Sequence, residues 1–105
     1  MLTLAIVVLN WNDAAASIDC CKSVLKALDA SAERYKHSAI LVVDNGSKAE
    51  EVTSLRNWCS REHGRAVRFL GNPTNLGFAG GMNVGIGAAL PKSPDYFLLL
   101  NNDVN

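Results

Sequence analysis

The sequence lacks a charge imbalance and a long apolar segment. Its ten basic and ten acidic side chains cancel, and no run of like charge is longer than the pair at 50–51, so we expect neither a nucleic-acid partner nor a polybasic membrane patch. The apolar run LTLAIVVL near the N-terminus is too short to cross a bilayer and lacks the basic leader of a signal peptide. These absences predict a cytoplasmic protein with no membrane span in this segment.

Cysteine and histidine are too few and too scattered for a metal site. Cys20, Cys21 and Cys59 include no CxxC pair, and neither His37 nor His63 has a partner four residues away. Structural zinc sites depend on such spacings. We therefore expect reduced thiols packed as small apolar residues and solvated histidines.

Four short aliphatic runs alternate with helical patterns along the chain. The runs LAIVVL, AILVV, VRFL and YFLLL occupy residues 4–9, 39–43, 67–70 and 96–100. Three of them are continuous, as in strands that are buried on both faces. The order β-α-β-α-β-α-β predicts one α/β domain over residues 1–105, with a Rossmann-like, mostly parallel sheet of about four strands and helices on both faces.

Each segment between these runs has one apolar helical face. The second helical segment also opens with Ser47 three residues before Glu50, the spacing of a capping box, and the third, from about residue 79 to 90, is weakened by its glycines. The expected core positions are Ile18, Cys21, Val24, Leu25 and Leu28, then Val52, Leu55, Trp58 and Cys59, then Met82, Ile86, Ala89 and Leu90.

Polar residues and glycines follow every predicted strand. Because ligands of parallel α/β sheets bind beyond the carboxyl ends of the strands, these residues are the site candidates. The first turn, NWNDAAAS, lacks the glycines of GxGxxG, and the chain has no GxxxxGK[ST], so a dinucleotide site is disfavoured and a P-loop is excluded. The candidates are Asn10, Trp11, Asn12 and Asp13, then Asp44, Asn45, Gly46 and Ser47, then the GNPTNLGFAGG segment at 71–81, and finally Asn101, Asn102 and Asp103.

Several of these candidates have two interpretations. Asp44 either accepts hydrogen bonds from a pyrimidine N–H or a ribose hydroxyl, or is a turn residue of DNGS. Asp103 either binds Mg²⁺ or Mn²⁺ together with phosphate oxygens, or caps a strand end. The glycine-rich NLGFAGG segment either brings backbone close to an anion at a helix N-terminus, or is a plain connector.

Taken in order, VVLNWN, VVDNGS, NPTNLGFAGGMNVG and YFLLLNNDV resemble the motifs in the N-terminal half of family 2 glycosyltransferases with the GT-A fold, closest to the rhamnosyltransferase-like branch. The resemblance covers essentially the whole chain. It implies a nucleotide site and, at the end of the fourth run, a DxD-type metal site with Asp103 as the ligand of Mg²⁺ or Mn²⁺. The residues that it assigns to the nucleotide are Asn10, Trp11, Asn12, Asp44, Asn75, Gly77, Asn83, Asn101 and Asn102.

Within this assignment the resemblance gives Asp44 the base and gives Asn75, Gly77 and Asn83 the donor site. Two positions depart from the family pattern. Asn101 stands where the first DxD aspartate is expected, and Met82 stands where many relatives have a basic residue. The first change lowers the charge of the metal site, and the second removes side-chain help to the diphosphate.

The function that the resemblance implies is metal-dependent, inverting transfer of a sugar from a UDP- or dTDP-linked donor to an acceptor hydroxyl in cell-surface polysaccharide synthesis. In such enzymes the catalytic base lies beyond the DxD motif, so this segment contains no catalytic residue and is expected to be inactive alone. We further expect self-association through an uncovered face, and a longer protein at the cytoplasmic face of the membrane. The alternatives are a non-catalytic nucleotide-binding or assembly module and a small structural domain without a ligand.

Overall fold

The computed structural model describes residues 2–62 and 67–101. The expectations for His63, Asn102, Asp103 and the side chain of His37 fall outside this description. Within these residues the chain forms four strands and three helices in the predicted order, with a short 3-10 helix before the last strand. The elements are β1 (Leu2–Asn10), α1 (Ala14–Ala30), β2 (Tyr35–Asn45), α2 (Ala49–Arg61), β3 (Val67–Asn72), α3 (Gly77–Ala89), the 3-10 helix (Leu90–Lys92) and β4 (Tyr96–Asn101).

The four strands form one parallel sheet in the order β3-β2-β1-β4. The predicted fold class is therefore confirmed, and each aliphatic run lies inside a strand. The strands extend past the runs into polar residues because these residues keep the ladder pairing, as Asn10 does with Asp44 and Asn45 does with Asn72. Polar side chains consequently lie at the carboxyl edge of the sheet.

Both faces of the sheet are covered at β1 and β2, which explains why their runs are continuous. Ile6 and Val8 of β1 pack in a core with α1 and α2. Val7 and Leu9 point to the opposite face, where they pack with Met82 of α3. Successive side chains of a strand alternate between faces, so the two central strands, which are covered on both sides, are apolar at every position of their runs. The expectation of a strand buried on both faces is wrong for the YFLLL run, because β4 lies at the edge of the sheet and Leu98 and Leu99 are 42% and 41% exposed.

The helical core positions are confirmed for most of the predicted residues. Cys21, Leu25, Leu55 and Trp58 are buried between the two helices and the sheet. Leu90 was predicted wrongly, because α3 ends at Ala89 and Leu90 lies in the 3-10 helix with 55% of its surface exposed.

The predicted capping box at the start of α2 is also wrong. The N-cap residue is Lys48, which makes no side-chain capping bond within the described residues. The hydroxyl of Ser47 instead donates to Asp44 Oδ1 at 2.5 Å. Helix α1 does have a conventional cap, because Asp13 accepts a hydrogen bond from the amide of Ala16 at 3.0 Å.

Two glycines of α3, Gly81 and Gly85, have a packing reason that the sequence pattern does not show. A Cβ placed on Gly85 would lie 2.5 Å from Val7 Cγ1 and 3.2 Å from Val43 Cγ2. The absence of a side chain therefore lets α3 lie directly on β1 and β2, and this close approach offsets the low helix propensity of glycine.

The three cysteines are free thiols, as predicted. Burial raises the pKa of Cys21 and that of Cys59 from 9.0 to about 12, so both thiols are neutral near pH 7. They behave as small apolar core residues and not as nucleophiles.

Candidate functional site

The candidate site lies at the carboxyl edge of the sheet, where each strand ends in an asparagine. The strand order places β2 and β3 on one side of β1, and β4 on the other. The order along the chain therefore reverses between β1 and β4, and ligands of open α/β sheets bind at such a switch point. The four terminal asparagines are Asn10, Asn45, Asn72 and Asn101.

The first hydrogen-bond network surrounds the carboxylate of Asp44, which is 1% exposed. Its Oδ1 accepts from Asn10 Nδ2 at 2.9 Å and from the Ser47 hydroxyl at 2.5 Å. Its Oδ2 accepts from the amides of Gly46 at 3.2 Å and Ser47 at 3.0 Å. Asn10 is held in turn by Ser17 of α1, whose hydroxyl donates to Asn10 Oδ1 at 2.6 Å. The network joins the turns that follow β1 and β2.

Asn12 makes a second connection between these two turns. Its amide donates to Ser47 Oγ at 2.8 Å, and its Oδ1 accepts from the Lys48 amide at 2.7 Å. The backbone of Asn12 has a φ of 53°, a left-handed conformation that asparagine tolerates better than most residues. The adjacent Trp11 is 44% exposed, so the turn presents an indole ring at the rim of the site.

The other network surrounds Asn45, which is 3% exposed. Its Nδ2 donates to Asn75 Oδ1 and to the carbonyl of Gly77, both at 3.0 Å. Its Oδ1 accepts from Asn72 Nδ2 at 3.2 Å and from the amide of Leu76 at 3.0 Å. Asn75 Oδ1 also accepts from the Gly77 amide at 2.7 Å. These bonds fix the segment between β3 and α3.

The predicted site residues of α3 and β4 lie at the margins of these networks. Gly77 begins α3 with a φ of 77°, whereas Asn83 is exposed in the second turn of the helix. Asn101 is partly buried at the end of β4, where it pairs in register with Leu9. Within the described ranges, 2–62 and 67–101, no group of three His, Cys, Asp or Glu side chains is placed so that it could hold a metal ion.

The structure thus brings most of the predicted residues into two groups. Asn10, Asn12 and Asp44 lie on the β1 side of β2, and Asn75 and Gly77 lie on its β3 side. Sequence reasoning missed Ser17. The available signal was a polar residue on the buried face of α1, between Ala14 and Cys21, which indicates a hydrogen-bond partner inside the fold.

A parallel sheet with this strand order and a polar carboxyl edge defines the class of open α/β domains that bind ligands at a switch point. Comparison with known families gives a specific result: the model of Glycosyl transferase family 2 matches residues 5–105. The chain therefore belongs to glycosyltransferase family 2 and has the fold of the N-terminal half of a GT-A domain. No curated protein matches the chain.

Family membership supports glycosyl transfer as the general function and nucleotide-sugar binding as the role of this fold. Across the described ranges, no helix is both long enough and apolar enough to cross a membrane.

Proposed function

We propose that the chain is the donor-binding half of a metal-dependent, inverting glycosyltransferase of the rhamnosyltransferase-like branch. Its donor is a UDP- or dTDP-linked sugar, its acceptor is a hydroxyl group, and its product belongs to a cell-surface polysaccharide. The observation that carries this proposal is the switch point between β1 and β4, bordered by Asn10 and Asn101 in a chain of family 2. The catalytic base would come from residues beyond 105. The three free thiols support a reducing, cytoplasmic location.

The β1 side of the site is suited to the base and the ribose. Trp11 offers an exposed aromatic surface, and Asn12 is held in place by two bonds to the turn after β2. Asp44 would contact the base, although four donors within the chain already occupy its oxygens. The Ser47 hydroxyl is the donor that rotates most readily. Its rotation would free Oδ1 for a pyrimidine N–H.

The β3 side is suited to the diphosphate and the sugar. Helix α3 begins there at Gly77, whose amide donates to Asn75 Oδ1, and its N-cap residue Leu76 provides no side-chain cap within the described chain. The next amides of the first turn lack partners inside the helix, and such amides interact favourably with anions. Together with Asn75 and Asn83, they would form the donor site.

A divalent cation would be held near the end of β4. Asn101 would contribute a neutral amide oxygen, and Asp103 would contribute a carboxylate by its place in the sequence. Mg²⁺ and Mn²⁺ are held by few protein carboxylates when substrate phosphates complete their coordination. When bound, the cation would neutralise the charge of the departing nucleoside diphosphate. Because one carboxylate holds it weakly, metal and nucleotide should bind cooperatively.

The proposal is tested by measuring Mn²⁺ affinity calorimetrically with and without saturating UDP or dTDP. We expect the nucleotide to raise Mn²⁺ affinity at least about tenfold, because coupling free energies are typically ~1–3 kcal/mol. Asp103→Asn should abolish this gain. Asp19→Asn, the same change at an exposed position of α1, should preserve it.

Equal Mn²⁺ affinity with and without nucleotide would remove the metal from the proposal. Coupling that survives Asp103→Asn would assign the cation to other ligands. A parent protein that binds neither nucleotide would contradict the donor-binding role itself.

A further inference from the structure

Asn45 uses the full bonding capacity of its side chain on the segment between β3 and α3. An asparagine amide offers two N–H donors and one carbonyl oxygen with two lone pairs. The donors reach Asn75 and Gly77, and the oxygen accepts from Asn72 and Leu76. The side chain is 3% exposed, so these bonds lie where water competes poorly. Asn45 therefore has no capacity left for a ligand and acts on this segment alone.

Its position in the sheet explains why Asn45 and its neighbour have separate roles. Adjacent residues of a strand point to opposite faces. Asp44 joins Asn10 and Ser17 on the α1 face, whereas Asn45 lies against Gly81 of α3, where an added Cβ would be 3.1 Å from Asn45 Nδ2. The peptide bond between Asp44 and Asn45 thus connects the hydrogen-bond network at the turn after β1 with the network at the segment after β3.

Gly46 brings the two turns into direct backbone contact. It has a φ of 84°, and a Cβ at this position would lie 2.7 Å from the carbonyl carbon of Thr74 and 2.8 Å from the amide nitrogen of Asn75. The turn after β2 is therefore packed against residues 74–75 without an intervening side chain. Asn45 supplies the hydrogen bonds that maintain this contact.

We propose that Asn45 is a positioning residue, which fixes residues 72–77 against the end of β2 and thereby sets the affinity of the site for the diphosphate part of the donor. The inference rests on the proposed function for the identity of the ligand. The geometric half of the proposal is that Asn45 orders residues 72–77, and it depends on the hydrogen bonds alone. The functional half is that this order sets the affinity for the diphosphate. The two halves therefore need separate measurements.

Amide hydrogen exchange tests the geometric half. In the parent we expect the amides of Leu76 and Gly77 to be protected, since each has a side-chain acceptor in this network. Asn45→Asp keeps the size of the side chain and an acceptor for the Leu76 amide but removes both donors, one of which holds Asn75 Oδ1 in place for the Gly77 amide. It should therefore speed exchange at Gly77 at least about tenfold. Protection at Gly46 and Ser47 should persist, because Asp44 accepts from them. Asn57→Asp, the same change on the exposed face of α2, should alter none of these rates.

The affinities of UDP and uridine, or of dTDP and thymidine, test the functional half in the presence of Mn²⁺. We expect Asn45→Asp to weaken diphosphate binding by about tenfold while nucleoside binding changes less than about twofold, since about 1.4 kcal/mol corresponds to a factor of ten. A general loss of folding would weaken both ligands alike. Asn57→Asp should leave both affinities unchanged. Asn45→Ala removes the same donors without adding charge, so it should show the same selective loss of diphosphate affinity. A loss seen only in Asn45→Asp would assign the effect to repulsion of the diphosphate by the new carboxylate and overturn the functional half.

Rapid exchange of Leu76 and Gly77 in the parent would overturn the positioning role without any variant. Loss of protection in Asn45→Asp with an unchanged ratio of diphosphate to nucleoside affinity would overturn the functional half. If the parent binds no nucleotide, the proposed function and this functional half both fail, while the exchange rates still decide whether Asn45 orders residues 72–77.

Discussion

The carboxylate of Asp44 accepts four hydrogen bonds from within the chain, two at each oxygen. The sequence left two interpretations open, a turn residue and a contact to the base. The bonds to the amides of Gly46 and Ser47 show that the turn role is real. The bond from Asn10 adds a connection to β1 that neither interpretation included. Contact with the base stays a prediction, and it requires one of the existing donors to move.

We expect Asp44→Ala to lower the free energy of unfolding by about 2–4 kcal/mol, because buried donors lose a charged acceptor. We also expect the binding free energy of UDP or dTDP to become less favourable by about 1.5–3 kcal/mol, measured by calorimetry at a temperature well below the midpoint of thermal unfolding. Urea unfolding gives the first quantity. Asp19→Ala, at an exposed position of α1, should change neither. A destabilised Asp44→Ala protein that binds nucleotide as tightly as the parent would leave Asp44 with the turn role alone.

At the level of elements, α3 is shaped by contact with the sheet more than by helix propensity. Its glycines predict a weak helix, yet the helix runs from Gly77 to Ala89. Gly85 lies over Val7 and Val43, both buried in the central strands. Among the described residues, and apart from the backbone of its own helix, Gly87 has no atom within 4 Å of where its Cβ would be. The two glycines are two residues apart and have opposite environments.

These environments predict opposite effects of the same substitution. Gly85→Ala should lower the free energy of unfolding by about 1–3 kcal/mol, because the added methyl overlaps valines that the sheet holds in place. Gly87→Ala should raise it by up to about 1 kcal/mol through helix propensity alone. Urea unfolding of both variants provides the comparison. If the two substitutions had equal effects, the close approach of α3 to β1 and β2 would be incorrect.

For the whole molecule, the notable surface is the one formed by β4. This strand pairs with β1 and lies at the edge of the sheet described here. Tyr96, Leu98 and Leu99 are 58%, 42% and 41% exposed. Leu98 also lines a groove of about 360 Å³ at the amino end of the sheet, together with Leu2 and other apolar residues. Exposed apolar edge strands readily pair with other chains.

We therefore expect the 105-residue chain to self-associate, with a mass in light scattering that rises above 11.3 kDa as the concentration increases. Leu98→Lys should shift this equilibrium toward the monomer, since a charged residue on an edge strand opposes pairing. Ser23→Lys adds the same charge to the exposed surface of α1 and should have no effect. A parent protein that remains monomeric at all accessible concentrations would contradict this prediction.

The amino-acid sequence by itself determined the order of elements, the parallel class of the sheet and the group of polar residues at its carboxyl edge. These follow from local signals: continuous aliphatic runs, helical spacing between them, and breaks such as NWND and DNGS. The order of the four motifs also indicated the family, because each motif occupies the end of one predicted strand. The cap of α1 by Asp13, which accepts from the amide of Ala16, is equally local, since capping depends on the residues next to it.

The tertiary structure decided the partners of these residues. Asn10 meets Asp44 and Asn45 meets Asn72 because β1, β2 and β3 are neighbours in register, and register is a property of paired strands that no local pattern contains. The Ser47 hydroxyl donates to Asp44 of its own turn instead of forming the predicted capping box, and its oxygen accepts from the Asn12 amide, which the pairing of β1 with β2 brings near. Whether a polar side chain at the edge is free for a ligand or already satisfied depends on contacts between residues about 30 positions apart, and only the folded chain brings them together.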